Sequence, residues 1–235
     1  QNPRLFDRRL RLRLDAARSL RLRTLYDADG ETEGGYLRKR WLARVGLEQE
    51  WVAWWKTGTA IRTGFDTFSF QNVGPLPRQS QGELPGAADT LTLEGWMTFG
   101  RINRRDRRLK DGAEATVSVG YTPPVLYSDL DFAEAGLEIR AYKSLPLDSL
   151  VAARIQGGMT SAEATQHQIF VGGLETVRGF VDSRFRGSRF WAANLEYRIP
   201  SVQSTWITLE HAVFADAAQT AETFSELGSV SGLGT

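Results

Sequence analysis

The sequence predicts an all-β fold, an antiparallel transmembrane β-barrel, and three observations support it. Apolar and polar residues alternate with period two along most of the 235 residues, as in strands whose two faces meet different environments. Tight turns alternate with long polar connections rich in glycine and proline, as at the two ends of a membrane barrel. The seven tryptophans suit a protein whose aromatic rings lie at the headgroup level of a bilayer.

Composition narrows the class of protein further. No apolar run reaches the roughly 18 residues of a transmembrane helix. The absence of cysteine excludes disulfide bonds and thiolate metal sites. A formal net charge of +1 favours no charged partner such as nucleic acid. The chain begins at Gln1 with no charged and apolar leader, which a signal-cleaved mature protein or a trimmed chain would share.

The first element is predicted as one long strand over residues 8–26. From residue 9 to residue 23, every leucine occupies an even position, and every odd position except Ala17 holds a polar residue. A hairpin that turns at 15–18 is the alternative. In a barrel the odd-numbered arginines would line the lumen, opposite carboxylates of other strands. The arginines are Arg9, Arg11, Arg13, Arg21 and Arg23, and the carboxylates are Glu48, Glu50, Glu94, Glu134 and Glu138.

Further strands follow, separated by connections of two kinds. Tight turns are predicted at 56–58, 144–146 and 200–202, and the longest polar connection covers 159–188. With a single N-terminal strand, seven strands precede that long loop, which places the loop on the external side of a barrel. The further strands are predicted at 36–51, 57–70, 90–101, 114–121, 133–143, 149–158, 190–200 and 205–216.

The long loop contains an arginine between a glycine and an apolar residue, in Val177-Arg178-Gly179-Phe180, just after Gly172-Gly173. Gly179 permits a sharp backbone bend. Downstream, Asn194, Glu196 and Arg198 share one face of a strand by parity, and Phe214 and Asp216 share a face of the next. We expect Arg178 to fold back between these faces and to pair with Glu196 and Asp216.

These residues resemble the BamA–TamA–FhaC superfamily of outer-membrane β-barrels, also called the bacterial surface antigen group. The resemblance is tight from Gly172 to Asp216 and faint before it, and Ala218 stands where the family usually has glycine. It implies that the loop tip lies inside the lumen and meets acidic residues on the next two strands. The implied lumenal motif is Val177, Arg178, Gly179 and Phe180, and its implied lumenal partners are Glu196, Arg198, Phe214 and Asp216.

The resemblance also implies a domain organisation. The family has five strands after the loop, so seven plus five predicts a barrel of twelve strands when complete. Residues 1–235 would then form a single barrel domain that lacks its last C-terminal strands. No stretch remains for periplasmic modules, so the chain is interpreted as a short, barrel-only member.

The function implied by the resemblance is work on membrane protein or lipid through a lateral seam, without covalent chemistry or cofactor, in the bacterial outer membrane. The partners expected are the lipid bilayer with its lipopolysaccharide, client outer-membrane strands and a second copy of this chain through the seam, but no nucleic acid. Two alternatives stay open. One is a passive or plugged small pore, and the other is a soluble β-sandwich binding module, because periodicity alone does not separate the folds.

No catalytic constellation is visible among the residue types that carry chemistry. His211 follows Glu210 in a strand, so their side chains point to opposite faces and form no acid/base pair. His167 lies in the polar loop and is expected to be solvated. No local motif supports Ser161 or Ser183 as a nucleophile. We therefore expect no enzymatic activity.

Overall fold

The computed structural model describes residues 10–26, 32–70, 86–105, 110–124, 127–164, 167–174, 176–182, 184–204, 206–222 and 233–234. No helix in these ranges is long and apolar enough to cross a membrane. Strands make up nearly all of the regular structure. They are β1 (Leu10–Tyr26), β2 (Thr32–Val52), β3 (Trp55–Phe70), β4 (Ala88–Arg104), β5 (Lys110–Thr122), β6 (Phe132–Leu145), β7 (Ser149–Thr160), β8 (Ile169–Val171), β9 (Phe185–Gly187), β10 (Arg189–Gln203), β11 (Thr208–Ala221) and β12 (Leu233–Gly234).

Ten of these strands form one continuous antiparallel sheet, in the order β1-β2-β3-β4-β5-β6-β7-β10-β11-β12. Neighbours in sequence are neighbours in the sheet, apart from the step from β7 to β10 across the separate pair β8–β9. One meandering sheet is the arrangement of an up-and-down barrel. Two sheets packed face to face are not what the described strands form, so the β-sandwich alternative is wrong.

The N-terminal strand is a single element, as predicted. β1 pairs with β2 in continuous register from Leu10 opposite Gln49 to Leu25 opposite Gly34, and an irregularity follows only at Tyr26. The hairpin alternative is therefore wrong. Seven strands, β1 to β7, precede the long loop, which also confirms the predicted count.

The two ends of the sheet differ in the length of their connections. β1, β3, β5 and β7 finish at one end, where the chain continues into the longer connections, including the one that carries Arg178. We call this the long-loop end. At the opposite, short-turn end, β2 and β3 are joined by residues 53–54 alone, and β6 and β7 by residues 146–148.

Two predicted turns are instead parts of strands. Residues 56–58 belong to β3, because pairing continues down to Lys56 opposite Glu50 and Trp55 opposite Val52. Residues 200–202 belong to β10, which runs on to Gln203 past a bulge between Pro200 and Val202. A bulge accommodates proline, which has no N–H for the ladder. The glycine and proline were misread as turn residues.

Alternation separates an outer apolar face from an inner charged face. Leu195 is 53% exposed on the outer face, whereas Asp216 on the inner face is 3% exposed. On the inner face, Arg62 of β3 reaches Glu134 of β6 at 2.5 Å. A flat sheet would hold strands three positions apart at about 14 Å, so the sheet curls toward its charged face.

The predicted arginine face of β1 is only partly paired as expected. Arg11 and Arg13 do meet Glu48, at 3.5 and 2.8 Å. Arg11 also meets Glu50, at 3.4 Å, whereas Arg9 lies outside the described residues. The other three predicted carboxylates, on β4 and β6, pair with arginines of β2, β3, β6 and β7 instead of β1. Glu94 binds Arg44 and Arg62, Glu134 binds Arg62, and Glu138 binds Arg140 and Arg154.

Candidate functional site

The connection between β7 and β10 folds onto the inner face of the sheet as a short ribbon. Its two strands, β8 and β9, pair with Ile169 opposite Gly187 and Val171 opposite Phe185. This ribbon was not predicted, since three-residue strands are too short to show alternation. It contacts β7, β10 and β11, so the loop lies within the curl of the sheet.

Glycines shape the tip of the ribbon so that Arg178 points at the sheet. Gly173 has φ of 77° and Gly179 has φ of 92°, values that side-chain-bearing residues rarely adopt. The N–H of Gly173 donates to the carbonyl of Phe180 at 3.0 Å, and the N–H of Val177 donates to the carbonyl of Gly173 at 3.1 Å. These bonds close a compact turn in which Val177 is buried at 2% exposure.

Arg178 makes a forked contact with two carboxylates. Its Nε donates to Oδ2 of Asp216 at 2.7 Å and its Nη2 donates to Oδ1 at 2.8 Å. Its Nη1 donates to Oε2 of Glu196 at 2.5 Å, and its backbone N–H also reaches Asp216, at 3.0 Å. A planar guanidinium is suited to such bidentate binding, which fixes orientation as well as charge.

The sheet prepares this contact by its register. Asn194 of β10 stands opposite Asp216 of β11, and Glu196 stands opposite Phe214. Asn194 donates through Nδ2 to Asp216 at 2.9 Å and to the carbonyl of Thr176 at 2.7 Å. The ring of Phe214 lies 3.7 Å from Cζ of Arg178, which adds a cation–π contact.

The charges of the cluster are balanced and shielded from water. The side chain of Asp216 is 1% exposed and that of Arg178 is 20% exposed. The hydrogen bonds that Arg178 donates to Asp216 and then to Glu196 raise the pKa of Arg178 above its ordinary value, although burial opposes this. Arg198 pairs with Glu196 from the other side, so two cations face two carboxylates.

The structure brings most of the predicted motif and partner residues together. Arg178 meets Glu196, Phe214 and Asp216, whereas Arg198 reaches Arg178 only indirectly, through Glu196. Gly179 is exposed, and Phe180 packs edge-on against Phe185 with ring centroids 5.2 Å apart. Their role as a functional site stays a prediction.

Thr176 was missed by sequence reasoning. Its hydroxyl donates to the carbonyl of Gly172 and accepts from the N–H of Gly172, both at 2.8 Å. A threonine that braces a loop through its own backbone leaves no periodic signal. The contact of Asn194 was partly foreseeable, because Asn194 shares strand parity with Glu196.

A second cluster on the inner face corrects the prediction for His167. Its side chain is 6% exposed, with Nε2 3.9 Å from Oδ2 of Asp66 and its ring 4.9 Å from that of Phe132. Burial and then the charge of Arg38 lower the pKa of His167 to about 4. His167 is therefore buried and neutral near pH 7, because the loop folds inward against apolar and cationic neighbours.

The ribbon also reaches the first strand of the sheet. Cζ of Arg23 on β1 lies 4.5 Å from the ring centroid of Phe170 on β8. Nη1 of Arg23 lies 3.9 Å from Oδ1 of Asp182, near the loop tip. One loop thus contacts β1 at one side of the sheet and β10 and β11 at the other.

A cavity of about 640 Å³ remains beside the ribbon on the inner face. Its lining is rich in arginines whose charges are met by Glu94, Glu134 and Glu138. In the described ranges no three His, Cys, Asp or Glu side chains are grouped to hold a metal ion. Six arginines and three glutamates contribute to its lining.

The sequence matches the family model of the Omp85 superfamily domain over residues 1–232. The chain belongs to the Omp85 superfamily. Its structure is similar to the crystal structure of BamA from Haemophilus ducreyi lacking POTRA domains 1–3, with a TM-score of 0.66 and 17% identity. The match covers 93% of this chain and 48% of that one. At this identity the likeness shows the fold, that of the outer-membrane β-barrel.

The chain spans about half the length of the BamA chain that it matches. No match was found among curated protein sequences. Family membership therefore rests on the superfamily model, and the fold on the model together with the BamA barrel. The activity, client and partners of this chain are matters for proposal.

Proposed function

We propose that this protein is a barrel of the bacterial outer membrane that acts on membrane protein or lipid through a lateral seam bordered by β1. The work is non-covalent, so the protein is not an enzyme and needs no cofactor. Membership of the Omp85 superfamily supports the location and the class of activity. Residues 1–235 would act as a single barrel domain, of twelve strands when complete.

The observation that carries this proposal is the double attachment of the long loop. Arg178 ties the loop to β10 and β11 through Glu196 and Asp216, while Arg23 of β1 meets Phe170 and Asp182 of the same loop. A sideways movement of β1 would stretch these contacts. The loop would therefore couple the contents of the lumen to the state of the seam.

A seam next to β1 would present backbone groups that can pair with another strand. The free backbone groups of an edge strand pair with incoming strands, and alternate side-chain positions then select among them. Leu12, Leu14, Leu20 and Leu22 give β1 an outward apolar row, each between 41% and 69% exposed. Client strands, lipids with lipopolysaccharide, or a second copy of the chain would meet this row.

The charged inner face supports a structural rather than a catalytic role. Glu134 and Glu138 could resemble an acid/base pair, but Arg62 holds the first, and Arg140 and Arg154 hold the second. Both carboxylates are therefore already engaged in ion pairs. Hydrolysis that depends on Ser161 or Ser183 is not expected.

Reconstitution in liposomes tests the proposal. Liposomes that contain the protein should fold a small unfolded outer-membrane barrel faster than empty liposomes, and Arg178→Ala should change that rate. The gel-mobility shift of the folded barrel measures it. Equal rates with and without the protein, together with large stable ohmic currents in planar bilayers, would contradict the proposal and favour the passive pore.

A further inference from the structure

We propose a binding site for a phosphorylated acyl lipid on the outer face of β1, β2 and β3, toward the long-loop end. The site combines a shallow groove with a pair of cations. Ala16, Ala43 and Thr63 form the floor of this outer groove, Trp41 and Phe65 form its walls, and Arg18 stands at its rim. The inference uses the proposed outer-membrane location but depends on neither the seam nor the Arg178 cluster.

The two cations lie on the side of the sheet that faces away from the lumen. Arg18 stands opposite Trp41 in the β1–β2 register, and Lys39 stands two residues before Trp41 on β2, opposite Leu20. Opposite residues point to the same face, and Trp41 is 56% exposed there. Arg38 and Arg40, with the other parity, point inward to Asp66. Arginine and lysine in a lipid-facing row need a specific reason.

Neither cation has an ion pair in the part of the chain that the structure describes. Within that part, the only specific contact of Arg18 is with Trp41, whose ring centroid lies 5.1 Å from Cζ of Arg18. Among residues 10–22, 37–49 and 57–67, none that shares this outward face is acidic. The nearest outward carboxylate in register, Asp89, lies on β4 opposite Phe65. Among the residues that the structure describes, no carboxylate competes with an anion for this pair.

The depth of the cations in the membrane follows from the spacing of tryptophans on β2. Trp41 and Trp51 share the outward face and are ten residues apart, and about 9–11 residues of a tilted strand span the hydrocarbon core. Trp51 stacks on Trp55 at 5.7 Å, and Trp55 stacks on Phe99 at 6.2 Å, at the short-turn end. If these rings mark one headgroup boundary, then Trp41, Arg18 and Lys39 lie at the other.

The groove beside the cations suits an acyl chain. Its volume is about 390 Å³, within the range of small-ligand sites. Small side chains at Ala16 and Ala43, which stand opposite each other, let a chain approach the backbone beside the larger rings of Trp41 and Phe65, which form the neighbouring row on the same face. An acyl chain lying there would run toward the bilayer centre, and its phosphate would remain at the level of Arg18 and Lys39.

The occupant with this chemistry is a phosphorylated acyl lipid of the external leaflet. Arg18 and Lys39 occupy diagonal positions on adjacent strands, about 7–8 Å apart in an antiparallel pair. Their long side chains converge on one phosphate from that spacing. Arginine supplies a fork for the phosphate oxygens and lysine supplies a point charge, so the site selects phosphate together with the acyl chain.

Native mass spectrometry of the protein in detergent tests the site, with a bisphosphorylated, hexa-acylated glucosamine disaccharide lipid as the probe. The parent should bind this lipid more tightly than its dephosphorylated form. Arg18→Gln with Lys39→Gln should weaken binding roughly thirtyfold, at about 1 kcal/mol for each basic residue near a membrane surface. Ala43→Leu, which fills the groove, should also weaken binding while leaving both charges in place.

Matched controls separate this site from general attraction to the membrane. Arg101→Gln with Lys143→Gln removes two cations near the short-turn end, and Ala141→Leu adds the same bulk to β6. All of these variants should bind the probe lipid as the parent does. Folding of each variant is verified independently by heat-dependent gel mobility, so that a misfolded barrel is not mistaken for a lost site.

Several outcomes would overturn the proposal. One is equal binding of the phosphorylated and dephosphorylated lipids, and another is equal loss of binding in the Arg18/Lys39 and Arg101/Lys143 double variants. Full competition by millimolar inorganic phosphate would point to a simple anion site without a lipid component. Loss of a bound second chain, rather than of lipid, in Arg18→Gln with Lys39→Gln would assign this face to protein contact. A protein that binds the lipid yet does not accelerate barrel folding would contradict the proposed function and leave the lipid site unaffected.

Discussion

Two buried aspartates on the inner face, Asp66 and Asp216, are held in the same way by arginines of different origin. Arg38 binds Asp66 through Nε at 3.0 Å and Nη2 at 2.5 Å. Arg178 binds Asp216 through Nε at 2.7 Å and Nη2 at 2.8 Å. Arg38 belongs to β2, next to the strand that carries Asp66, whereas Arg178 is brought to Asp216 by the long loop.

The difference identifies which cluster holds the loop in place. Asp66 keeps Arg38 and Arg40 whether or not the loop is present, and His167 adds only a neutral contact at 3.9 Å. Among the described residues, Arg178 donates three hydrogen bonds to Asp216 and Asn194 donates a fourth. Without the loop, a carboxylate that is 1% exposed would lose its counter-charge. Of these two aspartates, Asp216 is the one that depends on the loop for its counter-charge.

Removing each aspartate in turn should give the largest effects. Asp216→Ala and Asp66→Ala each remove the acidic partner of a buried ion pair, which typically costs about 3–5 kcal/mol, and less where lumenal water enters or where a second carboxylate remains, as Glu196 does for Arg178. Urea titration in lipid vesicles should therefore show similar losses in free energy of unfolding. Hydrogen exchange of residues 167–182 should rise in Asp216→Ala and stay near the parent level in Asp66→Ala. Equal exchange in the two variants would remove the distinction between the clusters.

Arg178→Lys should have an intermediate effect. Lysine keeps the charge, but an ammonium cannot bind both oxygens of Asp216 and also reach Glu196 as the guanidinium fork does. We expect about half of the loop protection lost in Arg178→Ala to be retained, as measured by hydrogen exchange. The matched change Arg38→Lys should leave loop exchange unchanged. Full retention in Arg178→Lys would mean that charge alone holds the loop.

The comparison also shows what could be predicted from the sequence. Period-two alternation predicted the strands, and strand parity placed Glu196 and Asp216 on the inner face, because both depend on local geometry. The arginine that binds Asp66 was not predicted, because Arg38 and Arg40 have the same strand parity within a run of cations and the sequence does not distinguish them. The burial of His167 was predicted wrongly, because the inward path of the loop depends on contacts with distant strands such as that with Phe132.

Acid should weaken the attachment of the loop to the sheet by protonating His167. This effect should be smaller than those of the substitutions above. Its pKa of about 4 in the folded protein lies below the ordinary value near 6.5, so the unfolded loop binds the proton more tightly. The contribution of neutral His167 is complete above pH 6.5 and is lost as the pH falls to about 4. Loop hydrogen-exchange protection, corrected for intrinsic rates, should fall across this window by up to about tenfold per pH unit.

A His167→Gln variant provides the control, because glutamine does not titrate. Its loop protection should be flatter than that of the parent between pH 6.5 and 4. An identical pH profile in the two proteins would show that His167 is already accessible to protons, contrary to its buried place beside Phe132 and Asp66.

Gly179→Ala should have the smallest effect. The φ of Gly179 is 92°, and the added methyl group would meet no atom within 4 Å. The cost is therefore conformational strain alone, about 1–2 kcal/mol for a left-handed residue. Loop exchange should rise slightly while urea stability of the sheet is unchanged. A loss as large as that in Asp216→Ala would reveal a contact of Gly179 beyond its backbone shape.

A double-mutant cycle measures the interaction between Arg178 and Glu196 separately from the effect of losing either residue alone. If Arg178 and Glu196 interact, Arg178→Gln combined with Glu196→Gln should cost less than the sum of the two single changes. The measure is the free energy of loop opening from hydrogen exchange. Strict additivity would indicate that the 2.5 Å contact between them contributes nothing in the membrane.

Limited proteolysis from the long-loop side tests most directly whether Arg178 holds the loop in the sheet. Intact vesicles that contain the parent, Arg178→Ala or Arg38→Ala are treated with a protease of broad specificity, so that loss of an arginine removes no cleavage site. The account predicts rapid cleavage within 159–188 in Arg178→Ala, with intact strands, and slow cleavage in the parent and in Arg38→Ala. A loop as resistant in Arg178→Ala as in the parent would contradict it.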